Sequence, residues 1–451
     1  MLKRPRSSSG LLAGFVLVVM LASACQPTAD DGTTASDPAP SSPTASTVSP
    51  GAADSDAFSE AGSTSAAAAT AGGRKYGVLI ADPRNMDADY HAGIRLAVRS
   101  LSWKKWQPSS TGFDAKYRQQ EIDTVNQFRA KGFTVAIDLG LHYAPDWVLA
   151  GPEARLRDQN FNRSSVANFM FSAAVRRQAV AYINDVVKSL GSLAYVKIGL
   201  SASGEALYPK PVGDGWWGFD EIAQGKQAGL PVGVPVTPMP GWIPGQGLWN
   251  GQAVTTAQVT AWYRWYQGAL ADALDWEMDS LRNAGYTGSF KVAVPGNGAN
   301  PWVYANRIKG NLAPQSYDAY RTMNSGAAYH ELLDRLKPRT GVALDITSVG
   351  DHSGTPADNV CQATDDAVDY RTEPSVDKWS STRWLSYLAR RHGLPVYGES
   401  TGENSKAEME TVFRLVKACN LSGLLWAFDY QLHAGTYATI GDYEFFIQSA
   451  G

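Results

Sequence analysis

Short apolar runs alternate with longer amphipathic stretches along most of this chain. The short runs are rich in β-branched residues, and the longer ones repeat apolar residues at spacings of three or four, which predicts strands followed by helices. Eight strands are predicted, at residues 76–81, 94–100, 134–139, 194–200, 290–294, 342–347, 395–398 and 423–428. Predicted helices include 117–131, 172–190, 256–284, 327–336, 378–392 and 406–418. Repeated units of this kind form a parallel sheet.

The number of strands favours a sheet that closes on itself. An open, doubly wound sheet that binds a nucleotide carries a Gly-rich phosphate loop after its first strand. Here the first strand is followed by Asp82, Pro83, Arg84 and Asn85, which do not resemble such a loop. We therefore predict an α/β fold, a TIM (β/α)₈ barrel, as a single domain over residues 74–451.

Polar and aromatic residues follow most of the predicted strands. In a barrel of this type the functional site lies at the carboxyl ends of the strands. The residues at those ends are Asp82, Trp103, Trp106, Asp138, His142, Glu205, Asn297, Asp351, His352, Glu399, Trp426 and Asp429. They predict a polar cavity with an aromatic rim.

Two glutamates among them suit the cleavage of glycosidic bonds. That reaction uses one carboxylic acid to protonate the leaving oxygen and one carboxylate on the other side of the anomeric carbon. Glu205 follows the fourth predicted strand and Glu399 ends the seventh, so both should face the mouth of the barrel. Glu403 competes with Glu399, but it follows a Gly turn and would cap the next helix.

The arrangement resembles known barrel enzymes. Carboxylates after strands four and seven are typical of the clan A glycoside hydrolases and of β-amylases. Residues 99–114, with Trp103, Trp106 and the run Gly112-Phe113-Asp114, resemble a segment of retaining β-galactosidases, and residues 141–147 resemble their Pro-x-Trp-Leu turn. This resemblance implies a retaining hydrolase with Glu399 as nucleophile and Glu205 as acid/base.

One residue departs from that pattern. Clan A enzymes usually carry Asn before the acid/base, and Gly204 stands there in this chain. Residues 204–209 read Gly-Glu-Ala-Leu-Tyr-Pro, which is similar to a run of the inverting β-amylases. An inverting reaction with Glu399 as base therefore stays open.

The same resemblance implies a set of substrate-binding residues. Trp426 resembles the Trp that floors the innermost sugar subsite, and Arg99 would orient the nucleophile, with Arg95 as its competitor. The long loop over residues 209–251 should shape a binding cleft. The predicted carbohydrate-binding residues are Asp82, Arg99, Trp103, Trp106, His142, Tyr208, Trp217, Asn297 and Trp426.

The first 73 residues differ in composition from the rest. Lys3, Arg4 and Arg6 precede a short apolar run that ends in small residues and Cys25, which indicates an export signal. The end of the run resembles the lipobox of bacterial lipoproteins, so residues 1–25 are a predicted lipoprotein signal with Cys25 as the lipidated residue. Free secretion is the alternative. Residues 26–73 are rich in Ser, Thr, Ala and Pro and are predicted to be a disordered linker.

Composition narrows the set of partners. The net charge of −3 gives no basic surface for nucleic acid, while 14 Trp and 20 Tyr suit the flat faces of sugars. We expect a monomer that is anchored to a membrane through its N-terminal lipid. The His spacing shows no metal signature, and neither a metal nor another cofactor is predicted. In an oxidising compartment Cys361 and Cys419 would form a disulfide, and two buried thiols are the alternative.

Three functions remain open at this point. A glycoside hydrolase explains both glutamates. A carbohydrate-binding lipoprotein without activity would need the aromatic residues but neither glutamate. A polysaccharide lyase or a transglycosidase would use a similar cleft with a different reaction.

Overall fold

The computed structural model describes residues 73–210, 213–314, 323–351 and 354–450. Eight parallel strands in these ranges form a closed barrel, each paired with its neighbours in the sequence order, and the last strand pairs with the first. The predicted TIM barrel is therefore confirmed. The strands are β1 Lys75–Leu79, β2 Leu96–Ser100, β3 Thr134–Asp138, β4 Tyr195–Ile198, β5 Ser289–Val294, β6 Val342–Val349, β7 Val396–Ser400 and β8 Gly423–Trp426.

Helices connect the strands and surround the barrel. They are α1 Met86–His91, α2 Trp103–Trp106, α3 Ala115–Lys131, α4 Asp146–Leu149, α5 Ala173–Leu190, α6 Thr256–Asn283, α7 Pro301–Lys309, α8 Tyr329–Leu333, α9 Ser381–Arg391, α10 Lys406–Ala418, α11 Asp429–Ala434 and α12 Ile440–Ala450. Short 3₁₀ helices span Asp365–Ala367 and Pro374–Lys378. Two small antiparallel hairpins pair Arg155–Arg157 with Arg163–Ala167 and Leu248–Trp249 with Gln252–Ala253.

Local sequence signals explain where the long helices begin and end. The hydroxyl of Thr255 accepts a hydrogen bond from the backbone N–H of Gln258, and the Gln258 side chain returns to the Thr255 backbone, which forms a capping box at the start of α6. Ser405 and Glu408 form the same motif at α10. Gly132 ends α3 with a left-handed φ of 102°.

The interior of the barrel is divided between apolar and charged residues. One apolar cluster joins alternate residues of β1, β2, β3, β4 and β8, among them Leu79, Val98 and Leu425. These residues share one face of five neighbouring strands, and the residues that alternate with them pack against the helices, so this face is the interior of the barrel. On β4 to β7 the inward positions carry Lys197, Lys291, Asp345, Tyr397 and Glu399 instead, while their neighbours along each strand pack against the helices. The strands on that side therefore bring charges together in a buried space.

Several predicted features lie outside the described residues. They are the signal peptide with Cys25, the linker apart from Gly73, and His352. In the part of the chain that is described, no helix is both long and apolar enough to span a bilayer. Cys361 and Cys419 form a disulfide with an S–S distance of 2.00 Å, which links the loop after β6 to the end of α10.

Candidate active site

Glu205 is held by a tight turn directly after β4. Its backbone carbonyl accepts hydrogen bonds from the N–H groups of Leu200 and Ser201, at 2.8 and 3.0 Å. Its own N–H donates to the hydroxyl oxygen of Ser201 at 3.2 Å. Because the turn folds back onto the end of β4, the position of Glu205 relative to the barrel is well defined.

Gly204 is required by this turn. Its φ is +69°, and a Cβ atom there would lie 2.8 Å from Oδ2 of Asp138 and 3.3 Å from Cε1 of His142. Both the backbone conformation and the crowding disfavour any larger residue. The Asn that precedes the acid/base in clan A enzymes would not fit here, so the departure noted in the sequence has a structural cause.

The carboxyl group of Glu205 contacts the end of β6. The hydroxyl of Thr347 donates to Oε1 at 2.7 Å. Burial raises the pKa of Glu205, and Lys197, Thr347 and Ser203 oppose that rise. Burial has the larger effect, so this carboxyl keeps its proton to a higher pH than an exposed glutamate does.

Glu399 lies on β7 and is paired with a lysine of β4. Nζ of Lys197 lies 3.1 Å from each carboxylate oxygen, and both side chains are buried. Burial raises the pKa of Glu399 to about 8, with the Lys197 ammonium lowering it and Asp345 raising it. Glu399 therefore keeps its proton to a higher pH than an exposed glutamate does, and the Lys197 ammonium limits that rise.

Asp345 on β6 is a second buried carboxyl beside Glu399. It is fully buried, and neither of its oxygens accepts a hydrogen bond among the described residues. The hydrogen bond from Lys197 to Glu399 goes to Oε2, so Oε1 of Glu399 accepts none either, although Nζ lies close to it. Two adjacent carboxyls cannot both ionise at low cost. Asp345 therefore raises the pKa of Glu399, and the Lys197 ammonium lowers it.

Lys197 connects the two predicted catalytic residues electrostatically. Burial lowers its pKa, but Glu399, Asp138, Asp345 and Glu205 together raise it above the ordinary value. The side chain is therefore an ammonium ion in the folded protein. Neither Lys197 nor Thr347 is among the residues that the sequence predicts for the site. For Lys197 the sequence does offer one indication, because a charged residue stands inside a run of apolar strand residues, Val196-Lys197-Ile198.

Five aromatic residues predicted to bind sugar lie in the core instead. Trp103, Trp106, Tyr208, Trp217 and Trp426 are at most 1% exposed. The indole N–H groups of the first two are bonded to Gln107 and Asp185, and that of Trp217 to the Pro209 carbonyl. These five predictions are wrong, because no face of these rings is open to a ligand.

Trp426 shows how the error arises. Its neighbours Leu425 and Ala427 belong to the apolar cluster inside the barrel, so Trp426 points outward. Its ring lies 5.6 Å from that of Tyr443 on α12. It therefore packs between the sheet and a helix.

Arg99 also points away from the barrel interior. It follows Val98, which faces inward, and it forms an ion pair with Glu121 of α3 at 3.0 Å. Its Nη1 also donates to the Ala81 carbonyl. The predicted role in orienting Glu399 is wrong, and Lys197 occupies that place.

The remaining predicted residues lie at the carboxyl ends of their strands. His142 is buried next to Asp138, and burial lowers its pKa. Asp82 is partly exposed and binds Arg84, and the side-chain amide of Asn297 donates to the Trp379 carbonyl. The structure places these three side chains near the mouth, and their contact with a substrate stays a prediction.

A separate group of side chains has the composition of a metal site. Within the described ranges, Asp89, Asp429 and His433 are the three residues that could hold an ion together. Nε2 of His433 lies 2.8 Å from Oδ1 of Asp89 and 3.4 Å from Oδ1 of Asp429. A hydrogen bond between the imidazole and the Asp89 carboxyl group accounts for the shorter of these distances.

Comparison with solved structures finds barrels of the same fold. The catalytic domain of a β-amylase from Paenibacillus polymyxa matches with a TM-score of 0.62 and 13% identity, over 83% of this chain and 98% of that one. A β-galactosidase from Halorubrum lacusprofundi matches at 0.51 and 12%, over 83% of this chain and 58% of that one. A β-galactosidase from Marinomonas ef1 matches at 0.50 and 9%, over 78% and 54%.

These similarities establish the fold. The chain spans a little over half of either galactosidase and nearly all of the amylase domain. No protein-family model matches the chain, and no curated protein matches it. The activity must therefore be argued from the side chains of the site.

Proposed function

We propose that this chain is a glycoside hydrolase in which Glu205 and Glu399 cleave an O-glycosidic bond. The observation that carries the proposal is the position of the two glutamates, at the ends of β4 and β7, on either side of the ammonium group of Lys197. One hydrogen-bonded carboxylic acid and one carboxylate paired with a lysine are the two groups that this reaction needs. The similarity of the fold to β-amylase and β-galactosidase structures agrees with this proposal.

In the proposed reaction Glu205 is the general acid. Burial raises its pKa, so it can hold a proton at neutral pH and transfer it to the leaving oxygen. The hydrogen bond from Thr347 fixes the orientation of its carboxyl group. Glu399 acts on the opposite side of the anomeric carbon, where the ammonium group of Lys197 stabilises its ionised form.

For the stereochemical course we favour inversion, with Glu399 as the base that activates a water molecule. The segments that resemble retaining enzymes centre on Trp103, Trp106 and Trp426, and those residues lie in the core. Gly204 favours the β-amylase-like alternative, because the turn excludes the Asn of clan A. Proton NMR of the newly released anomer distinguishes the two courses. Initial release of the anomer with the same configuration as the substrate would reassign Glu399 as a nucleophile.

Activity itself is tested on a panel of polysaccharides and oligosaccharides by the release of reducing ends. The variants are Glu205→Gln, Glu399→Gln and the double variant, with Glu403→Gln as the matched control, since Glu403 is exposed and lies four residues after Glu399. We expect each active-site variant to lose at least about a hundredfold in kcat/KM and the control to retain activity.

The alternatives predict other results. Binding of a glycan without release of reducing ends would indicate a carbohydrate-binding protein. Products with an unsaturated ring would indicate a lyase, and products without ¹⁸O after reaction in labelled water would indicate a transglycosidase. Full activity in the double variant would reject the assignment of both glutamates.

We also propose that the protein is exported and held at a membrane by a lipid on Cys25. The leader sequence supports this location, and a disulfide between Cys361 and Cys419 suits an oxidising compartment. Cys25→Ala is expected to abolish incorporation of labelled fatty acid and to release the protein from the membrane fraction. Unchanged membrane association of that variant, without label in the wild type, would exclude the lipid anchor.

A further inference from the structure

A cavity of about 490 Å³ lies at the amino ends of the barrel strands, opposite to Glu205. It is lined by the first residues of several strands, including Lys75 of β1, Leu96 of β2, Tyr195 of β4 and Ser289 of β5. Its volume falls within the range of sites for small molecules. Since the proposed reaction occurs at the other end of the barrel, this cavity has no part in it.

The charges around this cavity have one sign. Lys75, Lys291 and Arg339 line it, and no Asp or Glu is among its lining residues. The guanidinium of Arg339 is bonded to Asp275 and Asp279 outside the cavity. Lys291 has no bonded acidic partner among the described residues, and the carboxyl groups that act on its charge, Asp345 and Glu399, lie outside the cavity lining.

Lys291 is the central feature of the cavity. Its side chain is 3% exposed, and its Nζ lies 3.9 Å from the ring centroid of Tyr195 and 3.7 Å from that of Tyr397, both of which line the cavity. Among the described residues no group accepts a hydrogen bond from Nζ, and the buried Tyr195 hydroxyl also has no partner. The faces of the rings stabilise the cation in part, but its N–H donors remain unsatisfied.

Buried donors without acceptors are rare in folded proteins because each costs free energy. Burial lowers the pKa of Lys291 to about 8, with Asp345 and Glu399 opposing that change, so the group is still largely protonated at neutral pH. Apolar residues, among them Leu96, Phe290 and Leu394, contribute much of the remaining lining, together with the neutral polar residues Ser289 and Thr340. A ligand for this cavity would thus combine a negative group with a compact apolar body.

We propose that this cavity binds a small organic carboxylate. The carboxylate accepts hydrogen bonds from Nζ of Lys291 and from the hydroxyl of Tyr195, and the apolar body packs between the residues at the start of β2, β5 and β6. Charge-assisted hydrogen bonds of this kind are stronger than neutral ones. The proposal does not depend on the glycosidase assignment, because it concerns the opposite end of the barrel and is tested by binding.

The test uses benzoate as the probe and benzylamine as a control of the same shape and opposite charge. Isothermal titration of the full chain at constant ionic strength should give a Kd for benzoate of about 1 mM or tighter, and benzylamine should bind at least about tenfold more weakly. Lys291→Met should weaken benzoate binding at least about tenfold. Lys104→Met, at an exposed lysine away from the cavity, should not change it.

Two further measurements apply if Lys291→Met does not fold. Tyr195→Phe keeps the ring and removes one donor, so benzoate should bind it several-fold more weakly. In the wild type, benzoate should slow the reductive methylation of Lys291, read by mass spectrometry, and benzylamine should not. The proposal is overturned if benzoate does not bind, if benzylamine binds or protects equally well, or if neither variant weakens binding.

Discussion

The buried cation of Lys197 is paired directly with Glu399 of the proposed active site. Nζ of Lys197 lies 3.1 Å from both oxygens of Glu399, and no other cation of the described residues forms an ion pair with this carboxylate. Removing one member of a buried ion pair leaves the other charge without compensation, which is far more costly than removing both. The stability of the barrel and its chemistry should therefore both depend on this lysine.

We expect Lys197→Met to lower the free energy of unfolding by about 3–5 kcal/mol, measured by chemical denaturation. The methionine fills a similar volume but cannot balance Glu399. The pKa of Glu399 should rise further, so any remaining activity should shift to higher pH. Lys104→Met is the control, because Lys104 pairs with Asp146 at the exposed surface and should matter little. Equal stability of the two variants would contradict the role of Lys197.

Gly204 tests the geometry of the turn that holds Glu205. In Gly204→Ala a new methyl group would stand 2.8 Å from Oδ2 of Asp138 at a φ of +69°. Gly435 has a φ of 68° and ψ of 14°, and a Cβ added there would have no atom within 4 Å, so Gly435→Ala measures the backbone cost alone. That cost is about 1–2 kcal/mol.

We expect Gly204→Ala to cost a further 1–3 kcal/mol or so beyond the Gly435→Ala control, since it adds crowding to the backbone strain. Thermal unfolding of both variants gives this difference directly. Activity should fall only in Gly204→Ala, because only that turn carries Glu205. If the two variants unfold alike and both stay active, the crowding at Gly204 is relieved at little cost.

At the scale of elements, the order of the strands is predictable from the sequence. Which side chains of a strand point into the barrel is not. The apolar runs and the patterns between them identify all eight barrel strands, because each run is bounded by helical periodicity and by polar residues. A strand of a parallel barrel is buried on both faces, so the alternation of residue types gives little information on which side is inside. For this reason the sequence places Trp426 and Arg99 on the wrong face.

The candidate site is predictable only in its outline. Glu205 and Glu399 can be found because each stands at the end of a strand, a position with a known use in barrels. Lys197 and Thr347 complete the site through contacts between β4, β6 and β7 that depend on register. No feature of their local sequence specifies those contacts.

The disulfide joins two elements that are far apart in sequence. Cys361 and Cys419 are separated by 58 residues, a segment that includes α9, β7 and α10. Closing a loop of this length restricts the unfolded chain, and the lost chain entropy corresponds to about 4 kcal/mol. The double variant Cys361→Ala/Cys419→Ala should therefore unfold at clearly lower denaturant than the oxidised wild type.

The reduced wild type is the matched comparison for that variant. It has the same chain with both thiols free, so it should unfold close to the double variant. Identical midpoints for oxidised and reduced wild type would show that the crosslink does not restrict the unfolded state.

At the scale of the whole molecule, burial raises the pKa of several acidic side chains. Burial raises the pKa of Asp89 and Asp220 to about 7 and that of Glu399 to about 8. In the unfolded chain such groups titrate near pH 4. Between about pH 5 and pH 7 the folded protein therefore binds more protons than the unfolded chain does.

This difference fixes the sign of the pH dependence from these groups. Because the folded state holds the extra protons, the free energy of unfolding should fall as pH rises from about 5 to 7, by at most about 1.4 kcal/mol per pH unit for each group. Asp220→Asn should make the fall in the free energy of unfolding less steep, by the contribution of one titrating group, because the amide does not titrate. Asp220 is fully buried in the long loop before α6. Asp123→Asn, at an exposed position on α3, should leave the slope unchanged. Denaturation at pH 5, 6 and 7 measures all three slopes, and a wild-type stability that rises over this range would show that Asp89, Asp220 and Glu399 are ionised in the folded protein.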